Sequence, residues 1–257
     1  MWGISTILIT RDEEKDIERC LKSVRPFSDE IIVVDSGSTD RTVEIARAHD
    51  ARVIEHEWLG YGPQKQLALE EAAQPWVFSI DADEVVTPAL CQEIQTVARD
   101  CDGYEVARRV WYMGRWIRHS GWYPRYVIRL FRRDRGSFTG DAVHESVRIR
   151  GRTRRLREDL LHYSYRDVDD HMERINDFTT LAATQMFGRG RRSGLIRMVV
   201  TPWLQFHKVY ILRRGFLDGF AGLVIALLHS MYVFLKHAKL RELCQDSASA
   251  RTPKGAA

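Results

Sequence analysis

Over the first hundred residues, apolar runs of strand length alternate with segments of helical period, and this alternation limits the chain to a parallel sheet with crossover helices. Strands are expected at Ile4 to Thr10, Glu30 to Asp35, Arg52 to Glu55 and Trp76 to Asp81. Between them, Ile17, Cys20, Leu21 and Val24 mark one helical face, Val43, Ile45 and Ala46 a second, and Leu67, Ala68 and Ala72 a third. After Pro88 a helix carrying Leu90, Ile94 and Val97 leads to Gly103. Aromatic, arginine-rich strands follow: Tyr104 to Trp111, Tyr126 to Phe131 and Val143 to Ile149. From Asp167 the pattern is helical: Val168 to Phe187, a Gly-Arg linker over 188–192, Leu195 to Leu212 and Phe216 to Leu240.

The expected fold is α/β: a Rossmann-like half (1–90) completed by a mixed-sheet half (91–165), then a basic helical extension (166–247) and a disordered tail (248–257). The N-terminus reads as a first strand and not as an export signal. The four cysteines form no CxxC pair and no His-Cys ligand spacing, so neither a disulfide framework nor a zinc site is indicated, and a reducing cytoplasm is the default.

Chemistry concentrates where strands end in carboxylates. Phe78-Ser79-Ile80-Asp81-Ala82-Asp83-Glu84 closes a buried-type strand with three acids in four residues. Ligands bind outside the carboxyl ends of parallel strands. In extended backbone Asp81 and Asp83 project to one side, where a divalent Mg2+ or Mn2+ would relieve their repulsion. An isolated Asp-X-Asp is more often a helix cap with acidic first-turn residues. Here a second strand also ends in an acid, Ile31-Ile32-Val33-Val34-Asp35, followed by the turn Ser36-Gly37-Ser38-Thr39-Asp40. The first strand ends in Thr10-Arg11-Asp12-Glu13-Glu14, whose acids suit a helix N-terminus.

These motifs, with Gly62-Pro63-Gln64-Lys65-Gln66 between them and in this order, resemble family-two glycosyltransferases over residues 4 to 90. The resemblance implies a GT-A fold, with Thr10, Arg11 and Glu13 lining the base and ribose pocket, Asp35 and Ser36 at the nucleoside, Lys65 approaching the donor, and Asp81 and Asp83 serving ribose and metal. The first motif carries Asp12 where many relatives have asparagine.

Transfer also needs a general base. Glu145, with Asp141 second, is the candidate in Phe138-Thr139-Gly140-Asp141-Ala142-Val143-His144-Glu145-Ser146, because the resembling subgroup has a Val-His-Glu segment at this place. Glu145 could instead be a cross-strand partner for an arginine. His144 would bind phosphate or orient the base. Arg125 and Arg129 share a face of an extended segment and could neutralise an acceptor phosphate or the leaving diphosphate, or they could simply protect an edge strand. Trp122 could stack on a sugar ring, although packing is the commoner use of tryptophan.

No acidic residue lies between Asp177 and Asp218, whereas Arg189, Arg191, Arg192, Arg197, Lys208, Arg213 and Arg214 do. That segment calls for an anionic surface. The uncharged run Gly219 to Leu235 is short for a membrane span and suits either a helix in the membrane interface or a bundle helix on the catalytic domain.

With the Val-His-Glu segment and Arg213 to Gly219, the full pattern is similar to the lipopolysaccharide inner-core glucosyltransferases of family two. That resemblance implies a UDP-glucose donor, a lipid-A-linked heptose acceptor, inversion at the anomeric carbon and a peripheral place on the cytoplasmic face of the bacterial inner membrane. A polyprenyl phosphate acceptor is the alternative. A nucleic-acid partner is not expected, since it would leave the carboxylate-ended strands unexplained.

Overall fold

The computed structural model of the chain describes residues 3–139 and 146–249. Strands and helices alternate as β1 (Ile4–Thr10), α1 (Ile17–Val24), β2 (Glu30–Asp35), α2 (Thr42–Ala48), β3 (Arg52–Glu55), α3 (Tyr61–Glu70) and β4 (Trp76–Ser79). There follow β5 (Glu84–Val86), α4 (Pro88–Thr96), β6 (Gly103–Tyr112), β7 (Arg115–Trp116), β8 (Arg125–Arg132), β9 (Gly136–Phe138), β10 (Val147–Ile149) and β11 (Thr153–His162). The last helices are α5 (Val168–Gly188), α6 (Leu195–His207) and α7 (Gly219–Ser249).

Two compact units divide the chain, the first running to Val110 and resuming over Pro124–Ser164, the second taking Trp111–Tyr123 and everything from Tyr165. In the first, the sheet order is β3-β2-β1-β4-β8-β6-β11-β5. Strands β1 to β4 are parallel, whereas β8 runs antiparallel to β4 and β6. A Rossmann-like half thus continues into a mixed sheet.

Alternation along the central strands supplies two cores. Ile4, Leu8, Ile31, Val33, Phe78 and Ile80 face the helical stripe Ile17, Cys20, Leu21 and Val24 of α1 and Leu90 and Ile94 of α4. Ile7, Ile32, Val34 and Val77 face Ala68 and Leu69 of α3. A sheet covered on both faces reads as near-continuous apolar runs, and those runs fixed the strand positions in the sequence. Strand β4 stops two residues before the expected Asp81, because Asp81 to Glu84 closes a turn: the Glu84 amide donates to the Asp81 carbonyl at 3.0 Å, and Glu84 Oε2 accepts from the Asp81 amide at 3.1 Å.

The second unit has its own core of Tyr112, Ile117, Val209, Ala221, Ile225 and Ala226. Residues 111–123, written between two strands of the sheet, group with these helices because Asp218 takes the amides of Arg118 and His119, at 3.1 and 3.0 Å. By length and composition Gly215–Ser247 could cross a membrane. Helix α7 nevertheless packs on both α5 and α6 and buries Ala221, Ile225, Ala226 and Leu240. Phe220, Leu227 and Phe234 of the same helix stay exposed.

Candidate active site

Thr10 and Asp35 stand in register at the carboxyl ends of β1 and β2. Asp35 is 1% exposed; its Oδ1 accepts from Thr10 Oγ1 at 3.0 Å and Ser38 Oγ at 2.5 Å, and its Oδ2 from the amides of Gly37 and Ser38 at 3.0 and 2.8 Å. A carboxylate offers about four acceptor positions, and all are taken. Asp35 therefore anchors the turn after β2 at the crevice end of the sheet.

The first motif is laced to the same turn. Asp12 has a left-handed backbone (φ 54°), which Asp and Asn tolerate alike, and its Oδ1 accepts from the Thr39 amide at 2.7 Å. The Glu13 amide donates to Thr42 Oγ1 at 2.8 Å, and Arg11 is exposed beside them. Helix α3 ties in through Gln64, which is fully buried and donates to Ser36 Oγ at 3.0 Å. Its neighbour Lys65 reaches Asp81 Oδ1 at 2.7 Å.

Asp81 is gripped from its other side by Arg129, whose Nη2 lies 2.6 Å from Asp81 Oδ2 and 2.6 Å from Glu84 Oε1. Arg108 Nη1 stands 3.5 Å from the same Glu84 oxygen. Burial alone would raise the Asp81 pKa, but Arg129 and then Lys65 overcome it and hold the carboxyl well below the usual carboxylate range. Arg129 is pushed up in turn by Asp81 and Glu84 against its own burial. Arg129 is thus a buried ion-pair partner of both Asp81 and Glu84. Arg125, four residues along β8, is exposed and lines with Lys65, Asp81, Arg108 and Arg129 a cavity of about 520 Å³.

At the turn from Asp81 to Glu84 the two aspartates take different partners. Asp83 turns instead to His162 at the end of β11, with Oδ2 3.2 Å from Nε2. The contact is a hydrogen bond, between two groups, a carboxylate and an imidazole, that are both of the kind that ligates a divalent cation. Among the described residues no cluster of three or more His, Cys, Asp or Glu could hold a metal. A two-group protein share suits Mg2+ or Mn2+, which complete their shells with water and substrate phosphates.

Trp122 belongs to the second unit, where it packs with Tyr112, Tyr165 and His171 and donates from Nε1 to His229 Nε2 at 3.2 Å. Asp141, His144 and Glu145 lie outside the described residues. Their flanks are tied together, the Thr139 amide donating to the Ser146 carbonyl at 3.0 Å, and Phe138, Ser146 and Val147 line the cavity. Four site residues escaped the sequence reading, among them Arg108, whose strand was read only as arginine-rich. Gln64 and Glu84 were quoted inside motifs without a role, and His162 carried no local signal because its strand was not foreseen.

Carboxylates and cations interleaved at the carboxyl ends of a parallel sheet, opening on a cation-lined cavity, define an α/β enzyme that handles an anionic substrate. Residues 5–160 match the family described as Glycosyl transferase family 2, and the chain belongs to it. The protein is a glycosyltransferase, and its sheet is of the GT-A type. The lipopolysaccharide core biosynthesis glycosyltransferase LpsC of Rhizobium meliloti is 32% identical over 92% of this chain and 91% of its own length. An uncharacterized glycosyltransferase of Rickettsia typhi is 32% identical over 96% of this chain and 89% of its own. A crystal structure of glucosyl-3-phosphoglycerate synthase from Mycobacterium tuberculosis with Mn2+, UDP and glucosyl-3-phosphoglycerate is 29% identical, with a TM-score of 0.36 over 42% of this chain and 44% of that one.

Proposed function

We propose that this enzyme transfers glucose from UDP-glucose to a heptose of the lipopolysaccharide inner core, with inversion, at the cytoplasmic face of the inner membrane. The observation that carries the donor half is Asp81, held ionised by Lys65 and Arg129 on the wall of the cavity. The acceptor class rests on the similarity to LpsC, which extends over nearly the whole chain.

Each residue then has a task. The Asp35 turn and the Asp12 lacing fix the loops that border the nucleoside. Asp81, oriented by Lys65 and Arg129, accepts from a ribose hydroxyl. Arg125 and Arg108 offset the charge of the diphosphate as it departs. Asp83 and His162 would hold a divalent cation, which when bound supplies further charge stabilisation to the diphosphate. Glu145, with Asp141 as the second candidate, removes the acceptor hydroxyl proton, and His144 orients it.

Calorimetric titration with UDP, with and without Mn2+, on the wild type and Asp83→Ala tests the donor half. Metal-dependent binding lost in the variant is the expected result; no UDP binding by the wild type would end the reading. Glu145→Gln is expected to keep UDP binding and to lower transfer by roughly 10²–10⁴-fold. Product analysis with heptose-bearing and polyprenyl phosphate acceptors decides the acceptor.

A further inference from the structure

Helix α6 turns an apolar face to solvent. Ile196 is 78% exposed, Val199 66% and Trp203 60%, and Leu195, Val200 and Leu204 widen the same stripe. These positions recur at helical spacing on one side, and Pro202 is the one buried residue of the helix. Beyond the end of the helix Leu212 is also 78% exposed. A contiguous apolar face of this kind marks an interaction site.

Charge identifies its partner. No Asp or Glu occurs from Phe178 to Leu217. Beside α6 lies a cavity of about 580 Å³ lined by Arg191, Arg192, Arg197, Thr201, Lys236 and His237. None of these arginines, nor Lys236, forms an ion pair among the described residues. Burial lowers the Lys236 pKa, and burial and then Lys236 and Arg197 lower that of His237. A second copy would bring like charge against like. A nucleic acid would leave Ile196, Val199 and Trp203 uncovered.

We infer that α6 lies in the plane of an anionic membrane, its apolar face among the acyl chains and the adjoining cation cavity around a lipid phosphate. This deepens the membrane-surface reading above and moves the docking element from the apolar run of α7 to α6. The balance of an apolar stripe and a cationic flank is that of an interfacial helix.

Flotation with phosphatidylcholine vesicles, alone or mixed with phosphatidylglycerol, tests it on the full chain. The wild type is expected to float with the mixed vesicles only. Arg191→Ala/Arg192→Ala/Arg197→Ala is expected to lose about a hundredfold in partition coefficient, and Ile196→Asp/Trp203→Asp to stay in the bottom fraction, both with unchanged far-UV circular dichroism. Brominated acyl chains should quench tryptophan emission in the wild type and clearly less in Trp203→Phe, a conservative change that guards against misfolding. Equal flotation with both vesicle types, quenching unaltered in Trp203→Phe, a dimer dispersed by Ile196→Asp/Trp203→Asp, or RNA binding without vesicle binding would each overturn the inference. Metal-dependent UDP binding, measured on the same variants and expected unchanged, judges the glycosyltransferase site independently.

Discussion

His162 and Asp83, 79 residues apart in the chain, face each other with Nε2 3.2 Å from Oδ2. The sheet causes this meeting: β11 pairs antiparallel with β5 so that His162 stands in register with Glu84, and the Tyr163 amide donates to the Asp83 carbonyl at 2.9 Å. If the pair is the protein's share of a cation shell, His162→Ala should raise the Mn2+ concentration needed for half-maximal UDP binding by at least about tenfold, the cost of losing even an outer partner. UDP titrations at several Mn2+ concentrations check it. An unchanged Mn2+ requirement would leave the histidine a purely structural role.

Arg129 bridges Asp81 and Glu84 in a place where it is 6% exposed. Removing one partner of a buried ion pair leaves an uncompensated charge and typically costs about 3–5 kcal/mol. Arg129→Ala should lower the stability of the first unit by that order in urea unfolding. Arg129→Lys should recover only part of it, because an ammonium lacks the planar fork that serves two carboxylates. A wild-type midpoint in Arg129→Ala would show that the network contributes nothing net.

The second unit should be acid-labile for a different reason. His171 and His229 each have a pKa lowered from 6.5 to about 4, chiefly by burial, with His229 adding to the effect on His171 and Arg213 to that on His229. Trp122 Nε1 donates to His229 Nε2, which must be neutral to accept. The folded pKa lies below the unfolded one, so as pH falls the unfolded chain takes up the proton first. Stability is therefore full above about pH 6.5, declines between 6.5 and 4, and levels off below. Complete refusal of one proton over that interval is worth roughly 3 kcal/mol. Urea midpoints at neutral and mildly acid pH should show the fall, and replacing both histidines with glutamine should flatten it.

The legible part of the fold was the part with short-range periodicity. The α1 stripe Ile17, Cys20, Leu21 and Val24 is buried throughout, and the apolar runs ending at Thr10 and Asp35 are β1 and β2 residue for residue. Strand β11 was invisible because Arg154, Arg155, Arg157, Glu158 and Asp159 fill half of it and a register shift between Arg155 and Asp159 breaks its alternation. Strand β5, of three residues, is too short to show a period. The donors around Asp81 were legible as residue types, whereas the turn that sends Asp83 to His162 depends on Glu84, whose carboxylate the sequence reading had left without a role.

Asp218 sets the last expectation, because its grip on residues 118–120 draws on contacts a hundred residues apart that no local pattern reports. It is 1% exposed; Oδ1 accepts from the Arg118 amide at 3.1 Å, and Oδ2 from the His119 amide at 3.0 Å and Ser120 Oγ at 2.9 Å. Ser120 and Gly121 both have left-handed backbone, φ 60° and 78°, so the turn needs an external hold. Asp218→Ala strands those donors, each costing about 1–3 kcal/mol and not additively, so a loss of roughly 3–5 kcal/mol is expected. Asp218→Asn keeps one acceptor oxygen but sets an amide group against donors, and should fall between the two. Hydrogen exchange at the Arg118 and His119 amides should accelerate in the alanine variant at a denaturant concentration where the first unit is still folded. Unchanged exchange there would mean that the turn holds its shape without the carboxylate, and that some other contact keeps 111–123 with the helices.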